Sequence, residues 1–343
     1  MKKLKQAKDI KAAVIGYGGA FNMGKWHLDE MRKAGMTPTA VCELNPGRRE
    51  AAQKDFPGIE TWRDLDDMLK RSAANLVSII TPHNTHAAIA LKCLDRGRHV
   101  VCEKPFAIST AECDAMIAAA KRKKLLLSTY HNRHWDGCIL QALKTIRSGA
   151  IGDVIRVEMH VGGWSLPGDW WRSSKSISGG ILYDWGVHLL EYALQIMDAD
   201  ITEVAGFSKK GVWAKQCKWG RDTNEDEAFA TIRFASGKWA TLFVSNLDSK
   251  PREGMLEIAG TKGAYIFDLS FWTLITHKDS ATVSTRGKNP TSEGWRFYQN
   301  IADRLVKGTG LVITPEWARR PIHIIDLACQ SARKGFALRP VYR

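Results

Sequence analysis

The sequence contains few cysteines, and none of them occurs in a spacing that indicates a metal or disulfide site. Seven cysteines are scattered over 343 residues and are never spaced Cys-x-x-Cys, which predicts neither a disulfide framework nor a structural zinc site. No apolar run approaches the roughly 18 residues of a membrane span. The basic start also lacks the apolar segment of a secretory signal. We therefore expect a reduced, cytoplasmic protein without a membrane partner.

Motifs for nucleic-acid recognition are also absent, although basic residues outnumber acidic ones. The chain has 50 lysines and arginines against 36 aspartates and glutamates, a net charge of +14. The densest basic run, KRKK at 121–124, ends a predicted helix, where cations favour the negative end of the helix dipole. We expect no nucleic-acid partner. The positive electrostatic field of the excess basic residues would equally attract a phosphate-bearing cofactor or an acidic substrate.

The first third of the chain alternates between strand and helix patterns. Apolar runs occur at 11–16, 36–44, 75–80, 99–103 and 125–130, and helical patterns separate them at 23–33, 47–55, 86–96 and 110–123. This alternation predicts a doubly wound parallel sheet with helices on both faces. In such a sheet, ligands bind beyond the carboxyl ends of the strands.

After residue 130 the pattern changes to strand pairs. Two hairpins are predicted around the turns ASG and TKG, and two late helices near 295–307 and 315–331. Because 343 residues are many for one core, we expect two domains. The predicted boundaries are 1–130 and 131–343, with the late helices able to pack back on the first domain. The second domain is expected to be an α+β domain with a mixed or antiparallel sheet.

The segment VIGYGGAFNMGKWH lies where a dinucleotide-binding loop belongs, between the first strand and the first helix. Gly16, Gly18 and Gly19 would let the backbone turn tightly and approach a pyrophosphate, and the N-terminus of the helix would supply N–H donors. The next glycine, Gly24, comes three residues later than the GxGxxG pattern requires. By itself, the loop could also be a structural turn.

A carboxylate follows the second predicted strand. At this position Glu43 would accept hydrogen bonds from the hydroxyls of the adenosine ribose and would repel a 2′-phosphate, which favours NAD. Arg48 and Arg49 follow closely, so NADP stays possible.

The segment GGILYDWGVHLLEY, at 179–192, predicts a helix that two glycines open. Asp184, His188, Glu191 and Gln195 would share one face. Gly186 costs about 1 kcal/mol relative to alanine within a helix, which suggests that something packs closely against it. We interpret this polar stripe as the wall of a pocket rather than a solvated surface.

Three segments resemble the Gfo/Idh/MocA oxidoreductases, the glucose–fructose oxidoreductase and inositol dehydrogenase family. They are SIITPHNTHAAIALKCLDRGRHVVCEKPF, with its TP-x-x-x-H and EKP elements, YHNRHWDG, and the Asp-x-Gly-x-His helix in GGILYDWGVHLLEY. The resemblance implies an N-terminal Rossmann domain and a C-terminal α+β domain built on a large open sheet. It also implies a homo-oligomer, a dimer or a tetramer, because that sheet often forms a subunit interface in the family.

The resemblance also implies site residues by position. Lys104, Asp184 and His188 would form the catalytic group. Together with the glycine loop, the predicted cofactor-binding set is Gly16, Tyr17, Gly18, Gly19, Ala20, Glu43, Arg48, Thr81, Pro82, Asn84, His86, Glu103 and Lys104. Two departures from the family pattern are the lengthened glycine loop and Glu191, which stands where the family commonly has aspartate.

The chemistry of alcohol oxidation suits these side chains. His188 could take the hydroxyl proton, because an imidazole of pKa about 6.5 titrates near working pH. Asp184, one turn earlier, could orient the ring, and Lys104 could stabilise charge on the substrate oxygen. The HxxH pairs in HNTH and HNRH could instead suggest a metal, but neither lies in a firmly predicted helix with an acidic partner, so no metal is predicted.

A tryptophan-rich loop, GGWSLPGDWWRSSK, precedes the Asp-x-Gly-x-His helix and could cover a sugar substrate. The alternative is that its tryptophans pack in the core or in a subunit interface. The predicted substrate-binding residues are Asn132, Arg133, Trp164, Trp171, Arg172 and Lys175.

The leading hypothesis is an NAD(P)-dependent dehydrogenase that acts on a secondary alcohol of a sugar, polyol or sugar derivative. A second hypothesis keeps the same residues but recycles a tightly bound NAD, so that oxidation and re-reduction cleave a glycoside. A third is a non-catalytic nucleotide or sugar sensor.

Overall fold

A computed structural model describes residues 4–197 and 199–341, which fall into two compact units. The first unit runs to His131 and includes Trp295–Arg319. The second unit comprises Asn132–Gly294 and the residues from Arg320 onward. The chain therefore leaves the first unit after His131 and returns to it at Trp295.

The first unit contains a six-stranded parallel sheet. Its strands are β1 (Lys11–Ile15), β2 (Thr37–Cys42), β3 (Glu60–Trp62), β4 (Leu76–Ile79), β5 (His99–Cys102) and β6 (Leu127–Thr129), in the order β3-β2-β1-β4-β5-β6. The connecting helices are α1 (Met23–Lys33), α2 (Pro46–Asp55), α3 (Leu65–Arg71), α4 (His86–Asp95) and α5 (Thr110–Lys123). All residues of β4 and β5 are buried, as expected for strands covered on both faces. The predicted doubly wound sheet is confirmed.

The second unit is built on an eight-stranded sheet. It contains α6 (Gly137–Arg147), β7 (Val154–Gly162), α7 (Lys175–Ser178), α8 (Trp185–Ile196), β8 (Ile201–Lys209), β9 (Glu227–Phe234), β10 (Trp239–Ser245), β11 (Leu256–Gly260), β12 (Gly263–Phe267), β13 (Phe271–Lys278) and β14 (Ala281–Lys288). The strand order is β14-β13-β12-β11-β7-β10-β9-β8. Only β7 and β10 pair in parallel among these strands, which confirms the predicted mixed sheet. Of the two late helices, α9 (Arg296–Val306) belongs to the first unit, and α10 (Pro315–Lys334) begins in the first unit and continues in the second.

Helices cover one face of the large sheet. Helix α8 packs on β7 and β10, and Gly186 permits this approach, because a Cβ there would lie 3.2 Å from Leu242 Cδ2. The opposite face carries an aromatic row of Phe207, Phe229 and Phe243 on neighbouring strands, with ring centroids 6.3 and 6.4 Å apart.

The helix that contains Asp-x-Gly-x-His begins later than the sequence predicted. Gly179, with φ +91°, ends α7, and Gly180 adopts φ +133° before a single 3-10 turn. Only then does α8 begin, at Trp185. The two glycines therefore form a bend in front of the helix instead of opening it.

No helix within the described ranges is both long and apolar enough to span a membrane.

Candidate active site

The glycine loop between β1 and α1 has the backbone of a dinucleotide site. Gly16 adopts φ +97°, and a Cβ there would lie 2.3 Å from the carbonyl oxygen of Ile80, so only glycine fits. Gly18 faces open space, with nothing within 4 Å of a Cβ. Residues 18–22 are exposed in front of the N-terminus of α1. The exposed glycines at the start of this loop fit a dinucleotide pyrophosphate.

Gly24 performs the packing role that the third glycine has in this type of loop. A Cβ on Gly24 would lie 2.6 Å from Tyr17 Cδ2 and 2.8 Å from the carbonyl oxygen of Gly16. The helix therefore meets β1 as closely as the fingerprint requires. The extra residues lengthen the exposed part of the loop and leave this contact in place.

Glu43 follows β2, and the backbone fixes its carboxylate. Its Oε2 accepts the N–H of Tyr17 at 2.7 Å, and its Oε1 accepts the N–H of Asn45 at 2.9 Å. Since a carboxylate has about four acceptor positions, two more remain for a ligand. Arg49 donates to the carbonyl oxygens of Glu43 and Leu44, each at 2.8 Å, instead of to the carboxylate.

Arg48 and Tyr17 support the glycine loop from within the unit. Arg48 Nε donates to the Tyr17 carbonyl at 2.7 Å, and its Nη2 donates to Asn22 Oδ1 at 3.0 Å. The Tyr17 side chain is buried, and its hydroxyl donates to Asp55 at 2.8 Å. Burial and the Asp55 carboxylate raise the pKa of Tyr17. The side chains of both residues brace the loop, and their contact with the cofactor stays a prediction.

The loop after β4 holds the TP-x-x-x-H residues. Asn84 is exposed, whereas His86 is fully buried. The His86 ring nitrogens lie 2.9 Å from the carbonyl oxygens of Thr81 and Pro105, and burial lowers the pKa of the ring. His86 therefore joins the Thr81–Pro82 segment to the EKP segment. Both of its ring nitrogens contact the protein backbone, and a contact between His86 and the cofactor stays a prediction.

The carboxylate of Glu103, in the EKP segment, lies at the end of β5 in a buried polar network. It accepts the N–H of Lys104 at 2.8 Å and contacts His27 Nε2 at 3.0 Å. Burial raises the pKa of Glu103, but the bond to His27 and the charges of His27 and Lys104 leave that pKa below its usual value. The other His27 nitrogen contacts the hydroxyls of Tyr298 and Ser78. This network links α1, β4, β5 and α9 within the first unit.

Sequence reasoning missed His27 and Tyr298. Neither lies in a recognisable motif, and their distance from Glu103 along the chain gives no local signal. The only available hint was a histidine in the helix that follows the glycine loop.

In the second unit, Asp184 immediately precedes α8 and pairs with Arg172. The Arg172 Nη1 donates to Asp184 Oδ1 at 2.5 Å. The guanidinium lies between two aromatic side chains, with its Cζ 5.1 Å from the ring of Trp170 and 5.2 Å from that of Trp171. Arg172 was predicted to bind substrate, and the structure brings it to the predicted catalytic carboxylate.

His188 lies one turn into α8 and is buried, as is Glu191. The polar stripe of this helix is therefore not a solvated surface. Trp185 packs edge-to-face with His188 at 5.7 Å, and the Arg133 guanidinium lies 5.3 Å from the Trp185 ring. Arg133 also donates to Asp136 at 3.0 Å.

Glu191 contacts His134, with 2.5 Å between Oε1 and Nδ1. The longer carboxylate at this position therefore contacts the segment that contains Asn132 and Arg133. This contact also occupies a histidine of the HNRH pair.

Lys175 does not have the surroundings expected of a substrate-binding residue. Its ammonium pairs with Glu225 Oε1 at 2.6 Å, beside Gly180, in a small cavity that also includes Cys329 of α10. Burial raises the pKa of Glu225, but the Lys175 charge and hydrogen bond leave it below its usual value. Lys175 therefore belongs to an ion pair with Glu225, and its contact with a substrate stays a prediction.

Family models match both units. Residues 10–131 match the model of the oxidoreductase family with an NAD-binding Rossmann fold, and residues 139–266 match the model of the GFO/IDH/MocA C-terminal domain.

Named relatives cover most of the chain. The chain is 23% identical over 351 residues to scyllo-inositol 2-dehydrogenase (NADP(+)) of Bacillus subtilis, with 97% of each chain covered. It is 27% identical over 260 residues to 2,7-anhydro-N-acetylneuraminate hydratase of Escherichia coli. This match covers 75% of this chain and 68% of that protein. A structure of levoglucosan dehydrogenase in complex with NADH and levoglucosan superposes with a TM-score of 0.83 at 21% identity, covering 97% of this chain and 99% of the other.

The glycine loop, the Glu43 carboxylate and the two family models thus agree, and the chain belongs to the Gfo/Idh/MocA family of NAD(P)-dependent oxidoreductases.

Proposed function

We propose that the protein is a dehydrogenase that transfers a hydride between nicotinamide and a secondary alcohol of an inositol, a sugar or a related polyol. The observation that carries this proposal is the start of α8, where a buried histidine follows a charge-paired aspartate by one turn. This acid–base arrangement occurs in a chain that has an NAD-binding domain. Relatives named as inositol dehydrogenases support the choice of substrate class.

Residues of the first unit would hold the cofactor. The exposed N–H groups of Gly18 and Gly19 and the N-terminus of α1 would bind the pyrophosphate. Glu43 would accept hydrogen bonds from the adenosine ribose, and Thr81, Pro82 and Asn84 would line the nicotinamide half. Bound NAD(P) supplies the hydride acceptor of the reaction.

The proton is handled by side chains of this chain. His188 would accept the hydroxyl proton as the alcohol is oxidised, because a neutral imidazole is the strongest base available near pH 7. Asp184, held by Arg172, would supply the negative charge that stabilises the imidazolium. Lys104 would hydrogen-bond the substrate oxygen and stabilise the charge that develops there.

Turnover of a substrate panel tests this proposal. Inositols, hexoses and levoglucosan are incubated with NAD or NADP, and the absorbance of reduced nicotinamide is followed. At least one member should be oxidised. His188→Ala should lower kcat by at least about 100-fold, the lower range for loss of a general base. His277→Ala, at an exposed histidine of β13, is the matched control. Full turnover by His188→Ala would remove the proposed base.

A second candidate retains NAD and recycles it. Oxidation would acidify a neighbouring C–H bond, a substituent would be eliminated, water would add, and the ketone would be reduced again. The likeness to a protein named as a hydratase favours this candidate. Substrate conversion without accumulation of reduced nicotinamide would support it. Ligand binding with no conversion of any panel member would instead favour a sensor.

A further inference from the structure

Two loops of the second unit carry five tryptophans. The first tryptophan loop is 163–173, between β7 and α7, and the second is 211–224, between β8 and β9. The five residues are Trp164, Trp170, Trp171, Trp213 and Trp219.

Hydrogen bonds join the two tryptophan loops into one assembly. The Trp219 indole donates to the Trp170 carbonyl at 2.9 Å, and Asn224 Nδ2 donates to the Arg172 carbonyl at 2.7 Å. At the start of the second loop, the Trp213 N–H donates to the buried Asp226 carboxylate at 3.1 Å. Rings held in this way lose little conformational freedom when a ligand binds.

Two of the five tryptophans are exposed, and Trp171, Trp213 and Trp219 are half-buried. Trp164 is 61% exposed and Trp170 is 37% exposed. Trp164 meets Trp213 edge-to-face, with centroids 5.4 Å apart. Large apolar side chains held rigidly at a surface are typical of a binding site, and a flat ring face suits the C–H face of a pyranose.

Two of the rings, those of Trp170 and Trp171, lie against the arginine that pairs with the proposed catalytic carboxylate. Arg172 donates to Asp184 and also lies against Trp170 and Trp171. A sugar ring placed at Asp184 would therefore have the aromatic rings beside it, where a second, linked ring would lie.

The second tryptophan loop is also basic. Between residues 211 and 224 there are three basic residues and one acidic residue. The acidic one, Asp222, already accepts hydrogen bonds from Ser174 and Ser176, which outweigh the effect of burial and lower its pKa. Within the described part of the chain, Lys218 and Arg221 are in no ion pair, and the Lys218 ammonium lies 5.1 Å from the Trp219 ring.

We propose that the two tryptophan loops form a second sugar subsite that binds an acidic pyranose, such as a uronic acid, linked to the sugar that is oxidised. The aromatic rings stack on the pyranose, and the cations of the second loop bind its carboxylate. The preferred substrate is then an anionic disaccharide or longer glycoside. This inference deepens the proposed function and rests on it for the position of the oxidised ring.

Calorimetry with matched disaccharides tests the subsite independently of turnover. The probes are α-1,4-digalacturonate with α-1,4-galactobiose, and cellobiouronate with cellobiose, each added to the protein saturated with NADH, so that the probe is not oxidised. At least one acidic probe should bind about tenfold or more tightly than its neutral counterpart. Trp164→Ala should weaken that binding at least about fivefold, as expected for loss of a ring face. Lys218→Gln should reduce the preference for the acidic probe.

Trp295→Ala and Lys278→Gln are the matched controls, at an exposed tryptophan of the first unit and at an exposed lysine of β13. Equal binding of acidic and neutral probes, or no effect of Trp164→Ala, would overturn the proposal. A change of molecular mass in Trp164→Ala with unchanged binding would also overturn it and would assign the loops to a subunit contact. Monosaccharide oxidation, measured in parallel, shows separately whether the dehydrogenase assignment holds.

Discussion

At the scale of single residues, the contacts of Glu43 bear on cofactor choice. Its two oxygens are oriented by backbone N–H groups, and both neighbouring arginines donate to other groups. The sequence left open whether an arginine would cover this carboxylate. In the structure the negative charge stays available to a ribose and would repel a 2′-phosphate.

We predict that the wild-type protein prefers NAD to NADP by at least about tenfold in kcat/KM, or about 1.4 kcal/mol. Each charge-assisted bond to a ribose hydroxyl is worth about 1.5–3 kcal/mol. Glu43→Ser should narrow the gap, and Glu50→Ser, an exposed carboxylate of α2, should leave it unchanged. If the wild-type protein preferred NADP, the attraction of Arg48 and Arg49 for the 2′-phosphate would outweigh its repulsion by Glu43.

Arg172 gives a second prediction at this scale. Arg172→Gln should lower kcat by about tenfold or more with little change in thermal stability, because Asp184 loses a charged donor at 2.5 Å. Arg172→Lys should retain part of the activity, since it keeps the charge without the planar fork. Arg233→Gln, at an exposed ion pair with Glu203, is the control. Wild-type kcat in Arg172→Gln would show that this contact does not support catalysis.

At the scale of elements, the contact between β1 and α1 depends on one glycine. Gly24→Ala should destabilise the protein by about 1–3 kcal/mol, the usual cost of overpacking, because its Cβ would meet Tyr17 and Gly16 at under 3 Å. It should also weaken NAD binding, since the shifted helix displaces the loop. Gly47→Ala in α2, where the nearest atom would be 3.4 Å away, is the control. Urea unfolding and calorimetry measure both effects, and equal stability of the two variants would contradict the packing role.

The sequence predicts the helices and strands that have a clear apolar pattern. It does not predict the short strands or the exposed ones. The buried strands of the first unit stand out because both faces are apolar, as in the run that became β4. Strand β3 has only three residues, and β14 is exposed almost throughout, so neither has a periodic apolar signal. The start of α8 was placed at Gly179 instead of Trp185, since a helical period cannot detect positive φ angles.

The chemistry of the site was only partly predictable for a related reason. Motifs marked the residues that we propose to contact ligands, such as Glu43, Lys104 and His188. They could not assign partners from distant parts of the chain, so the pairing of Lys175 with Glu225 and of Glu103 with His27 was not foreseen. Tertiary contacts decide whether a polar side chain is available to a ligand.

At the scale of the whole molecule, the face of the large sheet that carries the aromatic row remains open. Phe207 is 64% exposed, and Arg156 and Glu158 form ion pairs on the same face. We propose that this face joins two copies of the chain, as exposed apolar patches of this kind commonly do.

Light scattering coupled to gel filtration should give the mass of a dimer or a tetramer for the wild-type protein. Phe207→Asp should shift the mass toward the monomer, because a charge would be buried without a partner. Val283→Asp, an exposed apolar residue of β14, should not change it. A wild-type monomer at working concentration would contradict the proposal.

Hydride transfer from a sugar or polyol carbon is the central claim, and isotope transfer tests it most directly. The alcohol that the protein oxidises is prepared with deuterium on the carbon that carries the hydroxyl group. The reduced nicotinamide formed from it is analysed by mass spectrometry. We predict one deuterium in each reduced nicotinamide formed, with product and reduced cofactor in equal amounts. Conversion of the labelled substrate without labelled nicotinamide accumulating, or no conversion of any panel member, would contradict the dehydrogenase assignment.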